Sequence, residues 1–104
     1  MLTQTAAIET VRSYAHEIQA TGLHLRNVIL YGSFAKGTQN QWSDIDVALV
    51  ADEFEGLPTD IYHFVSIAIK KPYIRIEPNT YQTVYFNESD PFIEEIKKTG
   101  IKII

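Results

Sequence analysis

The side chains best suited to chemistry fall in two short stretches of the sequence. The first is Tyr31-Gly32-Ser33-Phe34-Ala35-Lys36-Gly37, and the second is Ser43-Asp44-Ile45-Asp46. Gly32 lets the chain turn sharply and lets a ligand come close to the backbone. Ser33 then stands at the start of a short helical turn, where free N–H groups and a hydroxyl make a cradle for phosphate. Such a cradle orients an anion but performs no chemistry. The acids supply the rest. Positions i and i+2 of a strand face the same way, so Asp44 and Asp46 are expected side by side, their Cα atoms roughly 6–7 Å apart. Two carboxylates at that spacing can converge on hard cations, and a two-metal site needs ions only ~4 Å apart. Like charges this close repel in the empty protein, so a divalent cation is their natural partner. Ile45, between them, points into the core.

Regular elements must hold these groups in place. Leu23 to Tyr31 read as a strand around a buried Val28-Ile29-Leu30 segment, broken by Gly32. Ser33 to Gly37 give one short helical turn, and Thr38 to Ser43 a polar loop. Asp44 to Val50 make a second strand, entered by the two acids and apolar afterwards, and Ala51 to Pro58 lead away from it. Upstream, residues 4–21 place Ile8, Val11, Ala15 and Ile18 at helical spacing, with Gly22 as the stop signal.

Downstream, Ile61, Phe64, Val65, Ala68 and Ile69 share one face of a second long helix expected from Thr59 to Lys70, which Pro72 ends. Tyr73 to Pro78 read as a third strand, with Tyr73, Arg75 and Glu77 opposite Ile74 and Ile76. Asp90 caps and Pro91 opens a helix running to Thr99, with Lys97 and Lys98 at its negative end and Gly100 as its stop. Ile101 to Ile104 are expected as a short edge strand. This alternation predicts an α/β (α+β) fold in which a small mixed sheet packs against helices. Residues 1–104 are expected to form a single domain.

Composition narrows the classes further. Apolar residues make up 45% and charged residues 21% of the 104 residues, which fits a globular chain and argues against disorder. No apolar run reaches membrane-spanning length, and the N-terminus does not read as a signal peptide, so a cytoplasmic location is expected. With no cysteine, the fold uses neither disulfides nor thiolate metal ligands. Nine Lys and Arg against thirteen Asp and Glu leave a net charge of −4, the wrong sign for gripping a nucleic acid backbone. A triphosphate remains an acceptable ligand, because bound Mg²⁺ supplies positive charge locally.

Gly32-Ser33, ten intervening residues, then Asp44-x-Asp46 opening a buried strand is similar to the signature of the polymerase β-type nucleotidyltransferases. The longer string GSFAKGTQNQWSDIDVALV resembles their minimal members, the MNT proteins, and the specific match covers about residues 28–50. Ala35, Gly37 and Ser43 also fall where that pattern places them. The resemblance implies a polymerase β-like fold and a two-metal Mg²⁺ site held by Asp44, Asp46 and a third carboxylate. It also implies a nucleoside triphosphate, ATP first among them, whose β- and γ-phosphates lie on Ser33 and the Gly32 backbone, with Lys36 and Ser43 as further contacts. Glu77 is the candidate third acid, set to help activate the attacking hydroxyl. The superfamily commonly has aspartate there, and glutamate is one methylene longer. Its competing role is an ion pair with Arg75 or a nearby lysine.

The activity so implied is transfer of a nucleoside monophosphate, AMP from ATP, to an acceptor hydroxyl. Minimal members are often paired with a small helical HEPN protein, in which case the nucleotidyltransferase is the antitoxin and modifies a tyrosine of the toxin. A HEPN-type partner and an antitoxin role are therefore expected, with homo-oligomerisation left open. Two alternatives belong to other classes. One is a non-catalytic partner-binding module that keeps the fold; the other is the catalytic subunit of a nucleic-acid or small-molecule nucleotidyltransferase. Elsewhere, Lys36 has solvation as its plain alternative, Trp42 is expected to cover its loop, and Tyr31 to pack beneath the glycine turn. His16, His24 and His63 share no ligand spacing. Lys70-Lys71, like Lys97-Lys98, complement a helix C-terminus.

Overall fold

A computed structural model describes residues 2–57, 59–60, 73–87 and 90–104. Helix α1 spans Gln4–Ala20, with Thr3 as its cap: the Thr3 hydroxyl accepts the Ala6 N–H at 3.1 Å. Ala7, Val11, Tyr14, Ala15 and Ile18 form its buried stripe. The chain leaves α1 through Thr21 and Gly22, the latter at φ +100°.

Four strands form one sheet in the order β3-β2-β1-β4. They are β1 (Asn27–Tyr31), β2 (Ile45–Ala51), β3 (Ile76–Gln82) and β4 (Ile101–Lys102). β1 pairs antiparallel with β2 and β4, whereas β2 pairs parallel with β3, so the sheet is mixed as expected. Three helices complete the described chain after α1: α2 (Ser33–Lys36), α3 (Thr83–Phe86) and α4 (Pro91–Thr99). Asp90 caps α4 through Oδ1, which accepts the N–H of Phe92 at 2.8 Å and of Ile93 at 3.2 Å.

The sheet separates two apolar clusters. Val28, Leu30, Ile45, Val47 and Leu49 turn toward α1 and pack with Val11, Tyr14 and Ile18. Ile29, Ala48 and Val50 turn the other way, against Phe86 of α3 and Ile93 and Ile96 of α4. Strands of alternating facing produce this split, and β2 reads as continuously apolar because both its faces are covered. No helix among the described residues is long and apolar enough to cross a membrane.

Several boundaries differ from the sequence reading. The first strand begins at Asn27, not Leu23, because β2 offers no partner beyond the bond from Arg26 N–H to Val50 O (2.7 Å). Leu23 and Leu25 are buried all the same. The third strand lies at Ile76–Gln82 rather than Tyr73–Pro78, since its register follows β2 from Ile45↔Ile76 to Ala51↔Gln82. Pro78 is tolerated within it because β3 is an edge strand. The alternation expected for residues 73–76 is also wrong at its start: Tyr73 is buried against Tyr14 and Ile74 is 73% exposed. α3, which the sequence reading lacks, follows β3 directly. The helix expected from Thr59 to Lys70 falls outside the described residues from position 61 onward, as do His63, Lys70 and Lys71.

Candidate functional site

Strand register gathers the acids. Tyr31 lies opposite Asp46, and Asp46 lies opposite Glu77, so these three residues form one row across β1, β2 and β3. Side chains directly opposite in neighbouring strands share a face, and the strands run roughly 4.8 Å apart. Asp46 and Glu77 therefore project from the same side of the sheet, the side that α3 and α4 cover farther along. Asp44 stands one residue ahead of β2, exposed and outside the ladder, rather than as the first strand residue.

The Gly32 turn is built around Asp46. Gly32 has φ +73° and ψ −151°, a conformation open essentially to glycine. A Cβ there would lie 2.3 Å from Asp46 Oδ2. The carboxylate thus rests against the Gly32 backbone, with Ser33 next in the chain at the first turn of α2. Phe34 anchors that turn by full burial, and the Gln4 amide donates to the carbonyls of Phe34 (2.9 Å) and Ala35 (3.2 Å).

The electrostatics agree with this crowding. The Asp46 carboxyl is pushed above the usual carboxylate range, first by burial and then by the negative charges of Glu77 and Asp44. No ion pair to Asp44, Asp46 or Glu77 forms among the described residues. In particular, Glu77 does not pair with Arg75, whose guanidinium turns to backbone carbonyls instead. No group of three His, Cys, Asp or Glu side chains placed to hold a metal ion is present among the described residues. Carboxylate oxygens are the hard donors that Mg²⁺ takes, and none of Asp44, Asp46 and Glu77 is in an ion pair among the described residues.

The remaining expected contacts divide. The Gly32 backbone adjoins Asp46, and Ser33 follows it in the chain. The Ser43 hydroxyl is used within its own loop, accepting the Asn40 N–H at 2.9 Å. Lys36 forms an exposed ion pair with Glu95 of α4 (3.5 Å). Trp42 does not cover its loop: it is 80% exposed, while Asn40 and Ser43 close the turn by polar contacts. Tyr31 is partly buried rather than core. Its hydroxyl accepts the Asn79 amide at 2.6 Å, and its ring meets Phe92 edge-on at 6.0 Å. Burial, Tyr81 and Asp46 hold that hydroxyl well above the usual phenol range. Asn79 carries no signal in the sequence that would single it out; only its place in β3, two residues beyond Glu77, does.

Comparison with known proteins now gives the class. The sequence profile of the polymerase beta nucleotidyltransferase family matches residues 14–104, and the chain belongs to that family. Two solved structures share the fold. One is a provisionally assigned nucleotidyltransferase from Sulfolobus solfataricus, 19% identical, with a TM-score of 0.65 over 95% of this chain and 80% of that one. The other is a toxin-antitoxin structure with AMP-PNP, 16% identical, with a TM-score of 0.60 over 89% of this chain and 72% of that one. No curated protein sequence matches the chain significantly.

Proposed function

We propose that this chain, acting as a single minimal domain over residues 1–104, is a Mg²⁺-dependent nucleotidyltransferase that moves AMP from ATP to a hydroxyl of a partner protein. The observation that supports it most is the Asp46 carboxylate seated against the Gly32 turn, with Glu77 beside it in the sheet and the charge of Asp44 felt at the same point. Asp44, Asp46 and Glu77 would hold the metal ions. When bound, those ions neutralise phosphate charge and lower the pKa of the acceptor hydroxyl.

The protein's own groups do the rest. Ser33 and the Gly32 backbone orient the β- and γ-phosphates. Glu77, on the exposed edge strand, takes the proton of the acceptor as its oxygen bonds to the α-phosphorus. The bond from that phosphorus to the bridging oxygen breaks, and pyrophosphate leaves. Positioning and electrostatics carry most of such a transfer, so a small domain can suffice.

The acceptor in this reading is a helical HEPN-type toxin, with this chain as its cytoplasmic antitoxin. The net charge of −4 favours a protein acceptor over a nucleic acid. The shared fold with a toxin-antitoxin structure holding AMP-PNP supports the same choice.

Two measurements test the proposal. Melting of the protein with ATP should rise only when Mg²⁺ is present, by about 2.7 kcal/mol of stabilisation at a ligand concentration 100 times Kd. Incubation of the co-expressed chain and its genomic neighbour with α-labelled ATP should label the neighbour. If neither metal-dependent stabilisation nor labelling appears while the two proteins still bind, the chain is a non-catalytic binding module. Label in RNA or a small molecule instead would make it a catalytic subunit for those acceptors.

A further inference from the structure

Asp44 poses a structural problem. It stands outside β2, is exposed, and has no strand ladder of its own, yet a metal-binding carboxylate must be held to within a fraction of an ångström. One residue answers this from both sides. The Arg75 guanidinium donates through Nη2 to the Ser43 carbonyl, and more weakly to the Gln41 carbonyl at 3.4 Å. The Arg75 carbonyl accepts the Ile45 N–H at 2.8 Å. The residues immediately before and after Asp44 are therefore both tied to Arg75.

The same side chain reaches the phosphate turn. Its guanidinium carbon lies 5.9 Å from the ring centroid of Phe34, the buried residue that follows Ser33. Two residues further along the chain stands Glu77. Arg75 thus touches the loop that carries Asp44, the turn that carries Ser33, and the strand entry that carries Glu77. Its charge is spent on carbonyl oxygens and a ring face, which leaves the carboxylates free of it. A lysine would not reproduce this, because its ammonium lacks the planar guanidinium that lies over a ring while an N–H at its edge donates to carbonyls.

We propose that Arg75 is the positioning residue of the metal site, fixing Asp44 relative to Ser33 and Glu77. This rests on the functional reading given above. The consequence is specific: losing the guanidinium lowers metal affinity while the fold stands. Supporting groups around metal ligands typically account for about 10–100-fold in metal affinity.

The test compares wild type with Arg75→Lys and Arg75→Met. Two readouts are needed: Mn²⁺ binding in the presence of ATP, followed by electron paramagnetic resonance of the free ion, and amide hydrogen exchange of the metal-free proteins. Both variants should bind Mn²⁺ at least about tenfold more weakly. Exchange at Asp44 and Ile45 should quicken, while that at Leu30 and Val47 stays at the wild-type rate. Should Arg75→Met fail to fold, Arg75→Lys decides, since it keeps the charge and the aliphatic stem. Unchanged Mn²⁺ affinity in a folded variant overturns the assignment, whatever the exchange shows. If wild type itself binds no Mn²⁺, the functional reading fails, and exchange at Asp44 and Ile45 alone then judges the Arg75 pin: unchanged rates sink it.

Discussion

Replacing Gly32 with alanine should break the site in a way that separates backbone strain from collision. Gly32 sits at φ +73° and ψ −151°, and holding a residue with a Cβ there costs about 1–3 kcal/mol. The new Cβ would also lie 2.3 Å from Asp46 Oδ2, where ordinary contact begins at 3.4 Å. The carboxylate must give way by roughly an ångström, and a displacement of that size at a reacting centre costs about 100-fold in rate. The strain alone, taken as about 2 kcal/mol, lowers Tm by roughly 8–16 °C for a domain of this size. Gly22→Ala supplies the control: φ there is +100°, but nothing lies within 4 Å of the added Cβ. That variant should melt lower by the strain of about 1–2 kcal/mol while keeping Mg²⁺-dependent ATP binding and transfer. Calorimetric melting and α-labelled ATP transfer, run side by side, read both effects. Transfer by Gly32→Ala within a few-fold of wild type would show that Asp46 does not work from its place against the turn, and the assignment of the site would be refuted.

Three further outcomes follow from the same structure. Asp44→Asn and Asp46→Asn should each abolish nucleotide transfer with the fold retained, as read by labelled transfer and circular dichroism; full activity in either ends its assigned role. Because the folded Asp46 carboxyl lies above its unfolded value near 3.9, its ionised form destabilises the metal-free protein. That destabilisation is absent below about pH 4 and complete once the pH exceeds the raised folded value, so metal-free Asp46→Asn should melt above wild type at pH 7.5, with the gap closing near pH 4. A lower Tm at pH 7.5 would contradict it. Asp60 is 2% exposed, and its carboxylate accepts the N–H groups of Glu55 (3.1 Å), Gly56 (2.8 Å) and Leu57 (3.2 Å) and the Thr80 hydroxyl (2.7 Å). Burial pulls this carboxyl up, but the four hydrogen bonds outweigh it and hold the group below its ordinary value. Asp60→Ala strands those donors and should cost about 3 kcal/mol at neutral pH by urea unfolding. The loss should shrink as pH falls through the depressed folded value, and a pH-independent difference would count against this account.

Legibility in the sequence followed the range of the forces involved. α1, its Thr21-Gly22 exit and the Asp90-Pro91 start of α4 were readable because caps and helical periodicity act within a few residues. The Gly32-Ser33 turn was readable for the same reason, while the strand after it begins at Ile45, one residue later than the pattern suggested. The third strand was misplaced because its residues Ile76–Gln82 are chosen by pairing with β2, thirty-one positions earlier at each register step, and by burial that the local pattern does not carry. Tyr73 looked like a strand residue, yet its ring packs on Tyr14 and its hydroxyl donates to Glu17 of α1.

Local residue types therefore determined which groups could serve: a glycine free to turn, a serine beside it, and acids close enough in the chain to share a cation. Only the folded sheet decided how they meet. It set Glu77 beside Asp46 through a parallel pairing, seated the Asp46 carboxylate where Gly32 lacks a side chain, and turned Arg75 away from Glu77 onto the Ser43 carbonyl. These are contacts between residues 14 to 32 positions apart, and a linear pattern has no means of expressing the register that creates them.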